Sequence, residues 1–186
     1  MSTVTTTSPR IAALPDDQLP PAAAKTLGAV KAAVGMVPNL HRTLGHAPAA
    51  LDAYVAMSGA LGKGVLAPPL REKIALAVAA ANGCSYCASA HTAIGGSLKI
   101  AADELTRNLD GTSADPAHAA ALDFVGALLE HKGRVPDAAL TAVREAGFSE
   151  AEIVEITTHV GLNIFTNMFN ELASTEIDFP RVELPR

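Results

Sequence analysis

At 186 residues the chain is long enough for one domain that buries roughly two thirds of the surface its unfolded form exposes, so no disulfide or metal staple is needed to hold it. Hydrophobic residues make up 49% but aromatics only 4%, with no Trp, which leaves Ala, Leu, Ile and Val to build the core and lets helices approach closely. The formal charge of −5, without a cluster of Lys and Arg to neutralise a run of phosphates, argues against nucleic acid as a partner.

The opening MSTVTTTSPR has neither the basic start nor the apolar stretch of a secretory signal. The Ala-rich runs further on are broken by polar residues well short of the ~20 apolar residues that cross a bilayer. A cytoplasmic chain with no membrane partner is expected. Residues 1–20 carry Ser, Thr, Pro9, Pro15 and Pro20 and read as an extended N-terminal arm; residues 21–186 read as one helical domain.

Within that domain, proline at a helix start and glycine at a helix end mark most boundaries. The segment 21–35 has Pro21 where a first turn tolerates it and Gly35 where a helix can stop. A turn follows at 36–39, then a short helix at 40–45 and a longer one over 48–62. The segment 68–81 starts on two prolines, carries Glu72 in its first turns and is apolar beyond, which predicts a buried helix. Asn82 and Gly83 suit a left-handed break, after which CSYCASAHTAIGG begins a new helix. Further helices are expected at 102–109, 116–131, 136–145 and 149–173, the last opened by a capping box of Ser149 and Glu152. No window alternates with period two, so the expected fold is all-α, a helical bundle.

Cys84 and Cys87 are the only two cysteines. With His91 they are spaced by three and then four residues, which at about 100° per residue puts both sulfurs and the imidazole on one helical stripe. Two thiols so placed can interconvert with a disulfide, one attacking as thiolate and the other resolving. A static structural bridge is a poor explanation in a reducing compartment, because so short a loop hardly constrains the unfolded chain. Amides at the helix start favour charge on Cys84, whereas His91 can exchange a proton with Cys87; the two devices point to different nucleophiles. If the flanking helices fold back on each other, Glu72 reaches the height of His91 and orients it.

Blander readings stand beside this one. The cysteines can be small buried hydrophobes, and Cys84, Cys87, His91 and Glu72 also make up a four-ligand zinc set, although structural zinc usually draws on separated segments. Glu72 alone would pair with Arg71 or Lys73 at the surface. His41, His46, His118 and His131 sit among polar or loop residues and read as solvated, while His159 interrupts an apolar helix and reads first as a satisfied core histidine, second as a site residue.

Glu72, eleven residues, Cys84, Ser85, Tyr86, Cys87, three residues and His91 together resemble the signature of the alkylhydroperoxidase D-like branch of the carboxymuconolactone decarboxylase family. The likeness extends through GMVPNL and HAPAAL, over about residues 34 to 98. It implies the all-helical fold of that branch, homo-oligomers (trimer or hexamer) with sites near subunit contacts, no cofactor, a hydroperoxide substrate and an external dithiol reductant. By the resemblance Cys87 attacks the peroxide, Cys84 resolves, and Glu72 with His91 relays protons. Where the family pattern has a second histidine between the cysteines this chain has Tyr86, whose hydroxyl donates a hydrogen bond but does not titrate near neutrality. The alternatives are a lyase of the same broad family that decarboxylates a lactone acid without cysteines, and a non-catalytic thiol redox sensor.

Overall fold

The computed structural model describes residues 8–185, and the first seven residues of the expected arm lie outside them. Among the described residues there are helices and no strands: α1 (Pro21–Val34), α2 (Asn39–Leu44), α3 (Pro48–Leu61), α4 (Pro68–Ala81), α5 (Ser85–Ser97), α6 (Ala102–Leu109), α7 (Pro116–Glu130), α8 (Asp137–Glu145) and α9 (Glu150–Ala173). Every expected helix is present within a residue or two of its expected bounds. Pro21, Pro48, Pro68 and Pro116 each occupy a first turn, and the Ser149–Glu152 capping box closes both of its reciprocal bonds at the start of α9.

The bundle is organised round α4, which packs on α5, α6, α7 and α9. Its middle, from Ile74 to Ala79, is buried on all sides, as an apolar helix without a polar face must be. Leu76 and Ala79 join a cluster with Leu27, Leu44, Leu51 and the two cysteines, while Leu70, Ile74 and Val78 join another with Leu122, Val125, Val143 and Ile156. The repeated alanines of α4 let four helices approach it.

Between α4 and α5 the chain reverses in one tight step. Gly83 stands at φ 72°, the Gly83 amide donates to Ala80 O and the Cys84 amide to Ala79 O, the paired bonds of a Schellman closure. A side chain at that φ would cost roughly 1–2 kcal/mol. Cys84 is thereby delivered straight to the N-cap of α5.

Lys73 anchors another side of α4. Only 6% exposed, it bonds Glu104 of α6 at 2.5 Å and also reaches Ser113 Oγ and His118 Nδ1, both at 3.1 Å. His118, expected to be solvated, is instead half-buried in this cluster, because α4 and the loop before α7 close over it.

The two chain ends close the bundle. The amides of Arg10 and Ile11 donate to Ala173 O, and Arg42 reaches Leu14 O. After Ser174, in a left-handed conformation at φ 49°, residues 175–185 cross α2 and α5: Asp178 accepts from the Asn39 amide at 2.8 Å, and the Val182 amide donates to Ser89 Oγ at 3.0 Å. No helix among the described residues is long and apolar enough to cross a membrane.

Burial pushes the Glu104 carboxyl up, but Lys73, Ser113 and neighbouring amides outweigh it and hold it down to about 2, against an ordinary 4.5. A depressed carboxylate stabilises the fold above its unfolded value and loses that contribution as pH falls towards the folded one. Lys73→Ala is therefore expected to cost about 3 kcal/mol at pH 7, the usual penalty for orphaning one member of a buried pair. Urea unfolding at pH 7 and pH 3 should also show a smaller acid loss in the variant than in the parent.

Candidate active site

Glu72 sits in the second turn of α4 and His91 in the second turn of α5, and the Gly83 reversal sets them side by side: Nδ1 of His91 and Oε2 of Glu72 are 2.8 Å apart. A carboxylate only accepts, so Nδ1 donates its proton to Glu72 and Nε2 is the nitrogen left to exchange a proton with the site. Burial pushes the imidazolium down, but the Glu72 charge, its hydrogen bond and the nearby Cys87 together hold His91 above its ordinary value.

Both cysteines are free thiols and both are buried, Cys84 at 0% and Cys87 at 3% exposure. Cys84 Sγ caps α5 by accepting the Cys87 amide at 3.4 Å. The thiols are electrostatically opposite. The Cys84 thiol donates to Cys87, and with His91, Asn170 and Asn167 it overcomes burial and lowers the Cys87 value. The same bond, burial and the Cys87 charge push Cys84 up. The helix-start amides therefore do not decide which sulfur is charged; the surrounding side chains do, in favour of Cys87.

Those side chains include two that sequence reasoning did not single out. Asn170 of α9 donates from Nδ2 to Cys87 Sγ at 3.2 Å, and Asn167, one turn earlier, accepts from Asn82 Nδ2 at 3.0 Å. A signal for them existed. His159, Asn163, Thr166, Asn167 and Asn170 recur at helical spacing inside an otherwise apolar helix, a buried polar stripe that a core alone does not require.

The sulfur of Cys87 faces a cavity of about 300 Å³, at the small end of ligand-sized pockets, lined by His41, Tyr54, Arg71, Glu72, Tyr86, His91, Leu162 and Phe179 among others. Tyr54 stands over His41 with ring centroids 5.2 Å apart. Burial first, then the Cys87 and Glu72 charges, push its hydroxyl up to about 12, so it stays protonated. Tyr86 accepts the Leu40 amide at 3.2 Å and meets Phe179 edge-on at 5.9 Å; its hydroxyl is tied to the start of α2. His41, expected to be solvated, is corrected: burial beside Tyr54 pushes its imidazole down to about 4 against the opposing pull of Asp178. His159 lines the cavity, buried, with Nε2 lacking a partner, so it is not the satisfied core histidine first expected. Among the described residues no group of three or more His, Cys, Asp and Glu side chains is arranged to hold a metal ion.

Residues 48–130, which include Glu72, both cysteines and His91, match the carboxymuconolactone decarboxylase family. Within that segment, and in overall fold, the chain is similar to the alkylhydroperoxidase-like branch of that family. The alkylhydroperoxidase core of a peroxidase-related protein from Ralstonia eutropha JMP134 is 28% identical over 90% of this chain and 93% of its own, with a TM-score of 0.78. A peroxidase-related protein from Silicibacter sp. TM1040 is 27% identical over 95% of each chain, TM-score 0.75. The debrominase Bmp8, solved as a cysteine-to-alanine variant with 2,3,4-tribromopyrrole, shares the fold at 20% identity over 90% of this chain and 91% of its own, TM-score 0.77. No curated protein matches the chain in sequence.

Glu72→Gln removes the charge that holds His91 up, so the imidazole midpoint followed by NMR is expected to fall. With less imidazolium beside it, Cys87 should then need a higher pH to react with iodoacetamide. An unmoved midpoint would show that the pair contributes nothing to the proton state of the site.

Proposed function

We propose that this chain is a member of the alkylhydroperoxidase-like branch and acts as a thiol-dependent peroxidase and disulfide oxidoreductase. The observation that carries the reading is the unequal setting of the two thiols at one cavity: Cys84 Sγ is spent on the Cys87 amide at 3.4 Å and its proton on Cys87, while Asn170 donates to Cys87 Sγ at 3.2 Å, which favours Cys87 as thiolate and Cys84 as thiol. Cys87 attacks the terminal oxygen of a hydroperoxide; the S–O bond forms, the O–O bond breaks, and the alkoxide leaves with a proton from His91, which Glu72 orients. Cys84 then displaces water from the sulfenic acid to give the disulfide, and an external dithiol returns both thiols. The apolar walls, Leu40, Tyr54, Ile94, Leu162 and Phe179, favour a small organic hydroperoxide over hydrogen peroxide.

A reducing cytoplasm suits this cycle, since the resting pair must be dithiol. The site belongs in a homo-oligomer, trimer or hexamer: Phe165, Met168 and Leu172 are exposed on one face of α9, and Val154 lies exposed nearer its start, an apolar surface that another subunit would cover. The debrominase likeness favours one second reading at the same atoms, attack of Cys87 on a ring halogen with release of a carbanion to be protonated, followed by Cys84 expelling halide.

One equivalent of cumene hydroperoxide is expected to consume both thiols and lower the intact mass by about two units. Cys87→Ser should reduce peroxide consumption to background, whereas Cys84→Ser should turn over once and stop at a sulfenic acid. Two thiols that do not react with the hydroperoxide would favour the lyase chemistry of the broader family. Turnover of a bromopyrrole but no hydroperoxide would favour dehalogenation.

A further inference from the structure

Two buried amides beside the Cys87 sulfur each leave one hydrogen-bonding atom unused. Asn167 and Asn170 are 1% and 2% exposed. The bond from Asn82 to Asn167 Oδ1 fixes which way that amide faces, and its buried Nδ2 makes no hydrogen bond of ordinary length, only a longer approach that supports charge on the Cys87 sulfur. Asn170 spends Nδ2 on the Cys87 sulfur, and Oδ1 of the same planar amide is buried and unpaired. Native interiors rarely leave such atoms unsatisfied, and here a spare donor and a spare acceptor occur on neighbouring turns at one reactive atom.

The chemistry of the site, if it is the peroxidase argued above, adds one oxygen and one proton to that sulfur. A sulfenic S–O–H group has an oxygen that accepts and a proton that donates, the complement of the two unused atoms. We propose that Asn167 and Asn170 form a receptor for the sulfenic acid of Cys87, Asn167 Nδ2 donating to the new oxygen and Asn170 Oδ1 accepting its proton. Asn170 then grips the S–O–H unit with both ends of its amide, N–H on sulfur and C=O on hydroxyl. No bond is made or broken by either residue.

This arrangement has a consequence for the fate of the intermediate. A second peroxide oxidises the deprotonated sulfenate most readily, giving sulfinic acid, which dithiols do not reverse. An acceptor aimed at the sulfenic proton favours the neutral form, which reacts poorly with peroxide and remains open to attack by the Cys84 thiol. Asn170 thus protects Cys87 from over-oxidation in addition to supporting its thiolate, while Asn167 fixes the position of the new oxygen.

The test uses the full chain carrying Cys84→Ser, so that the intermediate accumulates, with cumene hydroperoxide as oxidant. Intact mass follows the species heavier by about 16 units, trapped in parallel with dimedone, and the sulfinic product heavier by about 32. Asn170→Leu, which keeps side-chain volume and deletes the acceptor, is expected to shorten the sulfenic lifetime and speed sulfinic formation about tenfold, the loss of one buried hydrogen bond; Asn167→Leu, which deletes only a donor to the oxygen and so disfavours the sulfenate, is expected to slow it. Should either leucine variant fail to fold by circular dichroism, the alanine variant takes its place. A sulfenic acid that persists unchanged in these variants overturns the receptor and leaves the peroxidase reading standing. Absence of the sulfenic species with both asparagines intact overturns the two together.

Discussion

The left-handed residue at Gly83 is the constraint on which the site depends. Its Schellman closure ends α4 and starts α5 with only Asn82, Gly83 and Cys84 between them, so the two helices leave the turn in fixed register. Glu72 and His91 meet because they are at matching heights along that pair, and Cys84 becomes an N-cap because it is the first residue out of the turn. A longer or looser connection would let the helices slide, and a 2.8 Å contact between the second turns of both would not survive a shift of one residue rise, about 1.5 Å.

The buried helix α4 carries adjacent residues of opposite charge, about 100° apart round its axis, to different partners in the bundle. Glu72 turns to the cavity and His91, while Lys73 turns to Glu104, Ser113 and His118. Burying two charges on one helix is unfavourable unless each is paired. Each pairing also fixes the rotation of α4 about its axis, since neither side chain can turn away from its partner without leaving a charge in the interior. The polar cluster round Lys73 therefore helps to hold Glu72 in place at the cavity.

At Cys87 the protein favours an anion in a site that burial alone would keep neutral. The charge is matched by the Cys84 thiol, the His91 imidazolium and the amides of α9 rather than by water. Fixed dipoles of this kind need no reorganisation when charge moves, which is why a buried thiolate can still react. The C-terminal segment adds the remaining wall: Asp178 takes the first amide of α2, and Phe179 backs Tyr86 and borders the cavity.

Local signals were enough to determine the helices and the reactive stripe. Prolines in first turns, Gly83 at the break and the Ser149–Glu152 box are read from neighbours in sequence because caps and turns are satisfied by neighbours in sequence. The spacing of Cys84, Cys87 and His91 is legible for the same reason, being a property of one helix. Only the tertiary structure decided the rest. Asn170 reaches Cys87 from 83 positions away, and Asp178 reaches Asn39 from 139 away. His41 and His118 look like surface residues in sequence yet are covered by segments that no local pattern places over them. The balance between the two thiols belongs here too, since it depends on which donors converge on each sulfur, and convergence is set by packing between helices rather than by spacing within one.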